Sequence, residues 1–186
     1  MQALKLILVV VALAVVAFGV FLWSGAYNVG ADDPHWSATT RLLTMARERS
    51  IKTRSREIHA PDLDDPRLIA MGAAHYAEMC TGCHLAPGMP ASEMRKGLYP
   101  KPPVLYKQDV HDPAEAFWVI KHGIKMTAMP AWGASHDDQA IWAMVAFLKK
   151  LPDLTPEQYR AMTADAHEPD EHGRHASEDM PEMHGH

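Results

Sequence analysis

The chain has only two cysteines, Cys80 and Cys83, and His84 follows the second directly. Cys80, Thr81, Gly82, Cys83 and His84 form a C-x-x-C-H run, the spacing of covalent c-type haem attachment, in which two thiols add to porphyrin vinyl groups and the next residue offers an imidazole to the iron. Two intervening residues let both sulfurs reach neighbouring vinyls on one edge of the macrocycle, and the histidine is then carried under the metal. A thioredoxin-like dithiol wants a strand before the motif within a βαβ frame, whereas an Ala- and Met-rich helix pattern precedes it here. A structural zinc site wants a second Cys or His pair at matching spacing. A disulfide closing so short a loop adds little stability. The motif therefore predicts one covalent haem c.

At the amino end, Lys5 precedes an uncharged apolar run from Leu6 to Trp23. Its 18 residues would span about 27 Å as a helix, close to the roughly 30 Å of a bilayer core. Such a run is a spanning anchor or a signal peptide, because Ser24, Gly25 and Ala26 make a passable small-residue cleavage site. The length of the run favours retention, with Trp23 and Tyr27 as an interfacial aromatic belt. Residues 1–27 are thus read as a membrane anchor (or signal peptide). Lys5 keeps the short amino end cytoplasmic and sends the rest across.

Residues 28–60 are read as a basic juxtamembrane linker. Between His35 and Ala60, six Arg and Lys face two Glu, a net charge of +4 in a chain whose total is −5. Ser37 is placed to cap a short helix with Leu42, Leu43, Met45 and Ala46 on one side. A basic helix beyond a span suits anionic headgroups or an acidic partner, and equally a solvated spacer. No aromatic interleaving or reader motif accompanies the charge, so nucleic acid is not an expected partner.

Residues 61–153 read as a small all-α domain. Asp65 and Pro66 start a helix through Leu68, Ile69, Gly72, Ala73 and Tyr76 to the haem motif. Gly72 costs about 1 kcal/mol against alanine in mid-helix, which predicts another helix passing close by. Asp112, Pro113 and Glu115 signal a second helix that Gly123 stops. A third starts at Ser135, with Asp138 completing a capping-box-like pair, and carries Ile141, Trp142, Val145 and Leu148 as far as Pro152. Pro100, Pro102 and Pro103 make the intervening segment an extended, stiff loop. So thin a core gains from a covalently held apolar macrocycle.

This sequence of parts, a helix ending in C-x-x-C-H, a proline-rich loop, a helix with a glycine stop, a Met-Pro turn and an amphipathic last helix, resembles a class I cytochrome c domain of the cbb3-type family. The resemblance covers about half the chain and implies a small cytochrome c fold. It implies thioether bonds at Cys80 and Cys83, His84 as proximal iron ligand and Met129, in the stretch Met126–Trp132, as distal ligand. It also implies that the Pro87 carbonyl accepts from the His84 ring. Among the twelve methionines, Met89 and Met94 follow the motif too closely to reach the opposite face. Met126 and Met129 both arrive there, and Pro130 favours Met129 by stiffening the turn. Met45, Met71, Met79 and Met144 read as gap-filling apolar residues.

His75, His111, His122 and His136 read as single surface histidines. After Leu154 eight acidic residues stand against two basic ones, and residues 154–186 read as an acidic His/Met-rich disordered tail. His167, His172, His175, His184 and His186 with Met180 and Met183 make copper a candidate there, beside a plain solubilising role.

A haem with both axial positions filled by protein suits one-electron transfer over catalysis, and a methionine ligand raises the potential relative to a second histidine. The expected function is a non-enzymatic one-electron carrier on the bacterial inner membrane, single-pass, with its haem domain in the periplasm. Its redox partners would be a quinol-oxidising complex, a dehydrogenase or a terminal oxidase. The alternatives are a fixed haem c subunit of a membrane oxidoreductase complex, or a metal-binding or redox-sensing protein that uses its tail.

Overall fold

The computed structural model describes residues 1–164, and every regular element among them is helical. The described chain divides into two units, Met1–Leu43 and the chain from Thr44.

In the first unit, α1 (Gln2–Trp23) has no buried residue. Apolar side chains all round a helix leave no polar face for water. The helix is long and apolar enough to cross a membrane, a property that a signal sequence at this position shares. Beyond it, the Trp36 ring lies edge-on to Tyr27 at 5.1 Å between centroids, and the Tyr27 hydroxyl is 2.8 Å from His35 Nδ1. Tyr27 is thus packed among rings, while Trp23 stands exposed.

Helix α2 (Ser37–Arg54) is 18 residues long, not the short helix expected. Ser37 lies inside it as the first residue. The basic segment does not stay free as far as residue 60. Ser55 is buried and Ile58 packs against the core of the second unit, because an apolar side chain within reach of a core gains by joining it.

The core of the second unit is a crossing of two helices, α3 (Pro66–His75) and α7 (Asp138–Lys150). Ile69, Ala73 and Tyr76 meet Ile141, Met144, Val145, Phe147 and Leu148. Gly72 lies at the crossing, as its place in mid-helix predicts. A Cβ there would overlap the Ala143 carbonyl oxygen and stand 2.9 Å from Phe147 Cβ.

Local capping sets most helix starts. Asp65 Oδ1 accepts from Arg67 N–H at 2.9 Å, and Asp112 Oδ1 accepts from Ala114 N–H at 2.9 Å to open α6 (Pro113–His122). The start of α7 differs from expectation. Asp137 is its cap, accepting from Ala140 N–H at 2.8 Å. Ser135 instead closes the 3₁₀ turn Trp132–Ala134, its N–H donating to Trp132 O at 3.1 Å. Ser and Asp are comparable caps, and the preceding turn decides between them.

The expected tail boundary is also passed. Thr155 and Gln158 exchange side-chain and backbone hydrogen bonds in a capping box that starts α8 (Pro156–Met162). Tyr159 on α8 is buried, edge-on to Tyr76 at 6.4 Å. One large ring reaching the core holds this turn against the polar character of its neighbours. The rest of the acidic stretch, with all its histidines and Met180 and Met183, lies outside the described residues.

Candidate haem site

The attachment motif sits on an irregular stretch. After α3 the helix widens into a π turn over Tyr76–Cys80, a distortion that recurs at functional positions. One α-turn follows, α4 (Thr81–His84). Leu85 then ends it with φ +62, a left-handed conformation that a branched residue adopts only where its surroundings impose it. Leu85 is buried, and its carbonyl accepts from the buried Tyr76 hydroxyl at 2.6 Å.

Two further side chains grip the same turn. A short helix, α5 (Glu93–Lys96), is capped by Ser92, whose hydroxyl also donates to Gly82 O at 2.5 Å. Arg95 Nη1 donates to Cys83 O at 2.6 Å. Carbonyls at Gly82, Cys83 and Leu85 are therefore each held by a different side chain. The Ser-x-x-Arg start of α5 is legible in the sequence as a cap. Nothing local says that it folds back onto the motif.

His84 is half-buried, and its Nδ1 lies 2.9 Å from Pro103 O. A carbonyl can only accept, so Nδ1 carries the proton and Nε2 keeps its lone pair for a metal. Burial, seconded by the Arg95 charge, lowers the ring's proton affinity against the opposing bond to Pro103. The carbonyl is not that of Pro87, as the family pattern implies. Leu85 turns the chain away, and Ala86 O is taken by Met89 N–H at 2.9 Å. The stiff proline-rich loop supplies the acceptor instead.

Cys80 and Cys83 are free thiols, both half-buried. Burial, with Cys83 close by, pushes the Cys80 thiol up to about 12. A site that so disfavours thiolate suits an uncharged sulfur, which is what a thioether is. Cys83 Sγ also lies 3.6 Å from Met94 Sδ.

Met129 is half-buried and packs, like Cys80, against the core. Its N–H donates to Thr127 Oγ1 at 3.1 Å, and its carbonyl accepts from Ile124 N–H at 3.2 Å. Gly123 ends α6 with φ +65, and a Cβ there would come within 2.7 Å of Met129 O and of the Pro130 carbonyl. The glycine stop and the Met-Pro turn are one device, since only a residue without Cβ lets the turn close over the helix end. Met126 is fully exposed with φ +57, so of the two thioethers only that of Met129 is turned toward protein. The residues present thus fit a haem: paired sulfurs, an imidazole with its metal-binding nitrogen freed, and a half-buried thioether.

A family model described as cytochrome C oxidase, cbb3-type, subunit III matches residues 67–148. This segment is a cbb3-type cytochrome c domain. The cytochrome c domain lies within the second unit, and α1, α2 and α8 fall outside the match. Its kind carries covalent haem c and works by haem-based electron transfer. No curated protein and no solved structure matches the chain.

The cytochrome c domain also joins two histidines that the sequence presents as unrelated. His75 and His136 rings meet edge-to-face at 5.4 Å. His136 Nδ1 in turn lies 2.9 Å from Ser135 Oγ, beside Trp132. Among the described residues no three potential ligands converge on a metal position. Burial first and the His136 charge second lower the His75 pKa from its ordinary value, while Glu78 and Asp137 oppose them. A base with a lowered folded pKa contributes stability above about pH 6.5 that is lost as pH falls through the folded value. His75→Gln should therefore flatten the fall in urea midpoint between neutral pH and pH 5. An identical acid dependence in the variant would show that His75 carries none of it.

Proposed function

We propose that this protein is a one-electron carrier with a His/Met-ligated c-type haem. Cys80 and Cys83 hold the macrocycle, His84 Nε2 is the proximal ligand and the Met129 thioether the distal one. The haem supplies a ferric/ferrous couple. Cys80, Cys83, His84 and Met129 would hold it, and an iron ligated by protein on both sides would favour electron transfer over catalysis. The observation that carries this reading is a His84 ring fixed by the Pro103 carbonyl, in a domain that also holds a half-buried Met129 on the Gly123 turn.

In this reading α1 stays as a single-pass anchor in the bacterial inner membrane and the cytochrome c domain faces the periplasm. The electrons pass between respiratory partners such as a quinol-oxidising complex, a dehydrogenase or a terminal oxidase. Residues 1–27 act as the anchor, and the acidic stretch beyond α8 is a separate tail. A second reading, a fixed haem c subunit of a membrane oxidoreductase complex, is favoured by the description of the matched family as an oxidase subunit. Recovery from mild detergent, alone or with partners, separates the two.

Attachment and anchoring are tested together. The haem should remain with the denatured polypeptide, and Cys80→Ala should lose most of the haem-bearing protein. The protein should fractionate with membranes with residues 1–26 intact. Haem extracted by acidified solvent would overturn the attachment, and Tyr27 found as the mature amino terminus would overturn the anchor.

A further inference from the structure

The three grips on the attachment turn differ in charge. Tyr76 and Ser92 offer neutral hydroxyls, whereas Arg95 brings a guanidinium to 2.6 Å from the Cys83 carbonyl oxygen. A guanidinium keeps its proton in a protein and is more weakly hydrated than an ammonium. The cation is also held in place. Arg95 is half-buried, on a short helix whose cap, Ser92, is itself bonded to Gly82 O. Among the described residues the ion pairs involve other cations, and none joins Arg95 to a carboxylate. Its neighbours Glu93 and Lys96 are exposed, where solvent and salt screen them.

This unpaired charge sets a positive field beside the imidazole, because the Cys83 carbonyl that it grips belongs to the peptide bond leading into His84. The same field acts on a metal bound at Nε2. When ferric iron takes one electron from a donor protein, the net positive charge of the site falls by one. A fixed cation nearby favours the less positive state and so raises the reduction potential.

We propose that Arg95 is a positioning residue that tunes the potential of the haem: fixed on the Cys83 carbonyl beside His84, its guanidinium favours the ferrous state. This inference rests on the His/Met haem reading above. It adds a determinant on the proximal side, distinct from the contribution of the axial methionine.

The test is a spectroelectrochemical titration of the full-length, haem-bearing protein in detergent, with Arg95→Gln, Arg95→Lys and Lys96→Gln compared with the parent. Arg95→Gln should titrate at a distinctly lower midpoint while keeping covalent haem and the methionine-to-iron absorption band. Arg95→Lys should recover most of the shift. Lys96→Gln, which removes an exposed neighbouring charge, should leave the midpoint close to that of the parent. An unchanged midpoint in Arg95→Gln would overturn the proposal, as would an equal fall in Lys96→Gln. Arg95→Met stands in if Arg95→Gln fails to accumulate haem. Loss of attachment in both neutral variants would also overturn it, by making Arg95 a residue of haem attachment. A parent protein without the methionine-to-iron band would instead remove the underlying ligand reading, whatever the variants did.

Discussion

Met129→Ala should abolish the weak near-infrared band that a thioether-to-ferric-iron bond produces, lower the reduction potential, and open the iron to carbon monoxide. The thioether stabilises ferrous iron, so its removal costs the reduced state more than the oxidised one. Covalent haem content should hardly change, because the bonds at Cys80 and Cys83 do not depend on the distal side. The turn itself should persist, since the bond from Ile124 N–H to Met129 O and that from Met129 N–H to Thr127 Oγ1 are both made by the backbone of residue 129. The discriminating control is Met126→Ala. Met126 is fully exposed, so its loss should leave band and potential as they were. Reversed behaviour of the two variants would make Met126 the ligand. No spectral change in either would require a sixth ligand from elsewhere and remove the main support for the electron-carrier reading.

Gly72→Ala should destabilise the cytochrome c domain strongly although alanine is the better helix former. Propensity alone would stabilise the variant by about 1 kcal/mol. Against that, the added methyl overlaps the Ala143 carbonyl oxygen and also approaches the Ala143 carbonyl carbon and Phe147 Cβ. Two of these are main-chain atoms of α7, which cannot rotate away, so the helices themselves must separate. Over-packing costs about 1–3 kcal/mol, and a clash with main-chain atoms falls at the upper end of that range, a large share of the roughly 5–15 kcal/mol that holds a domain together. The urea midpoint of the haem-bearing protein should fall by about 1–2 M for a slope of the usual size. Gly82 lies on a helical turn as well, but nothing approaches within 4 Å of its Cβ position. Gly82→Ala should therefore leave the midpoint at or somewhat above that of the parent. A midpoint for Gly72→Ala at or above that of the parent would mean that the crossing relaxes at little cost, and that Gly72 is not what sets the approach of α3 to α7.

What the sequence determined by itself is what short-range physics controls. Asp65 before Pro66, Asp112 before Pro113 and Gly123 after His122 each mark a helix end, because the bonds that make the cap join atoms no more than a few residues apart. The long apolar helix α1 is legible for the same reason, since its length and uniform apolarity are local properties. So is the C-x-x-C-H run, whose Cys80, Cys83 and His84 lie within five residues. Even the close approach at Gly72 leaves a trace, because a glycine in mid-helix has a local cost that calls for a compensating contact. At two helix starts the local signals are degenerate. Ser135 and Asp137 are interchangeable as caps, and the T-P-E-Q start of α8 was masked by the acidic composition around it.

Tertiary structure alone decided which distant atoms meet. The Pro103 carbonyl reaches His84 across 19 residues, and Arg95 reaches the Cys83 carbonyl across 12. His75 meets His136, and Tyr159 closes on Tyr76. These contacts depend on how loops close and on which buried faces pack together, and the closing entropy of a loop varies only slowly with its length. A proline carbonyl or an arginine therefore carries no periodicity or spacing that names its partner. The sequence points to Cys80, Cys83, His84 and Met129, and the packing of loops around them supplies the hydrogen-bond acceptor, the charge and the enclosure they meet.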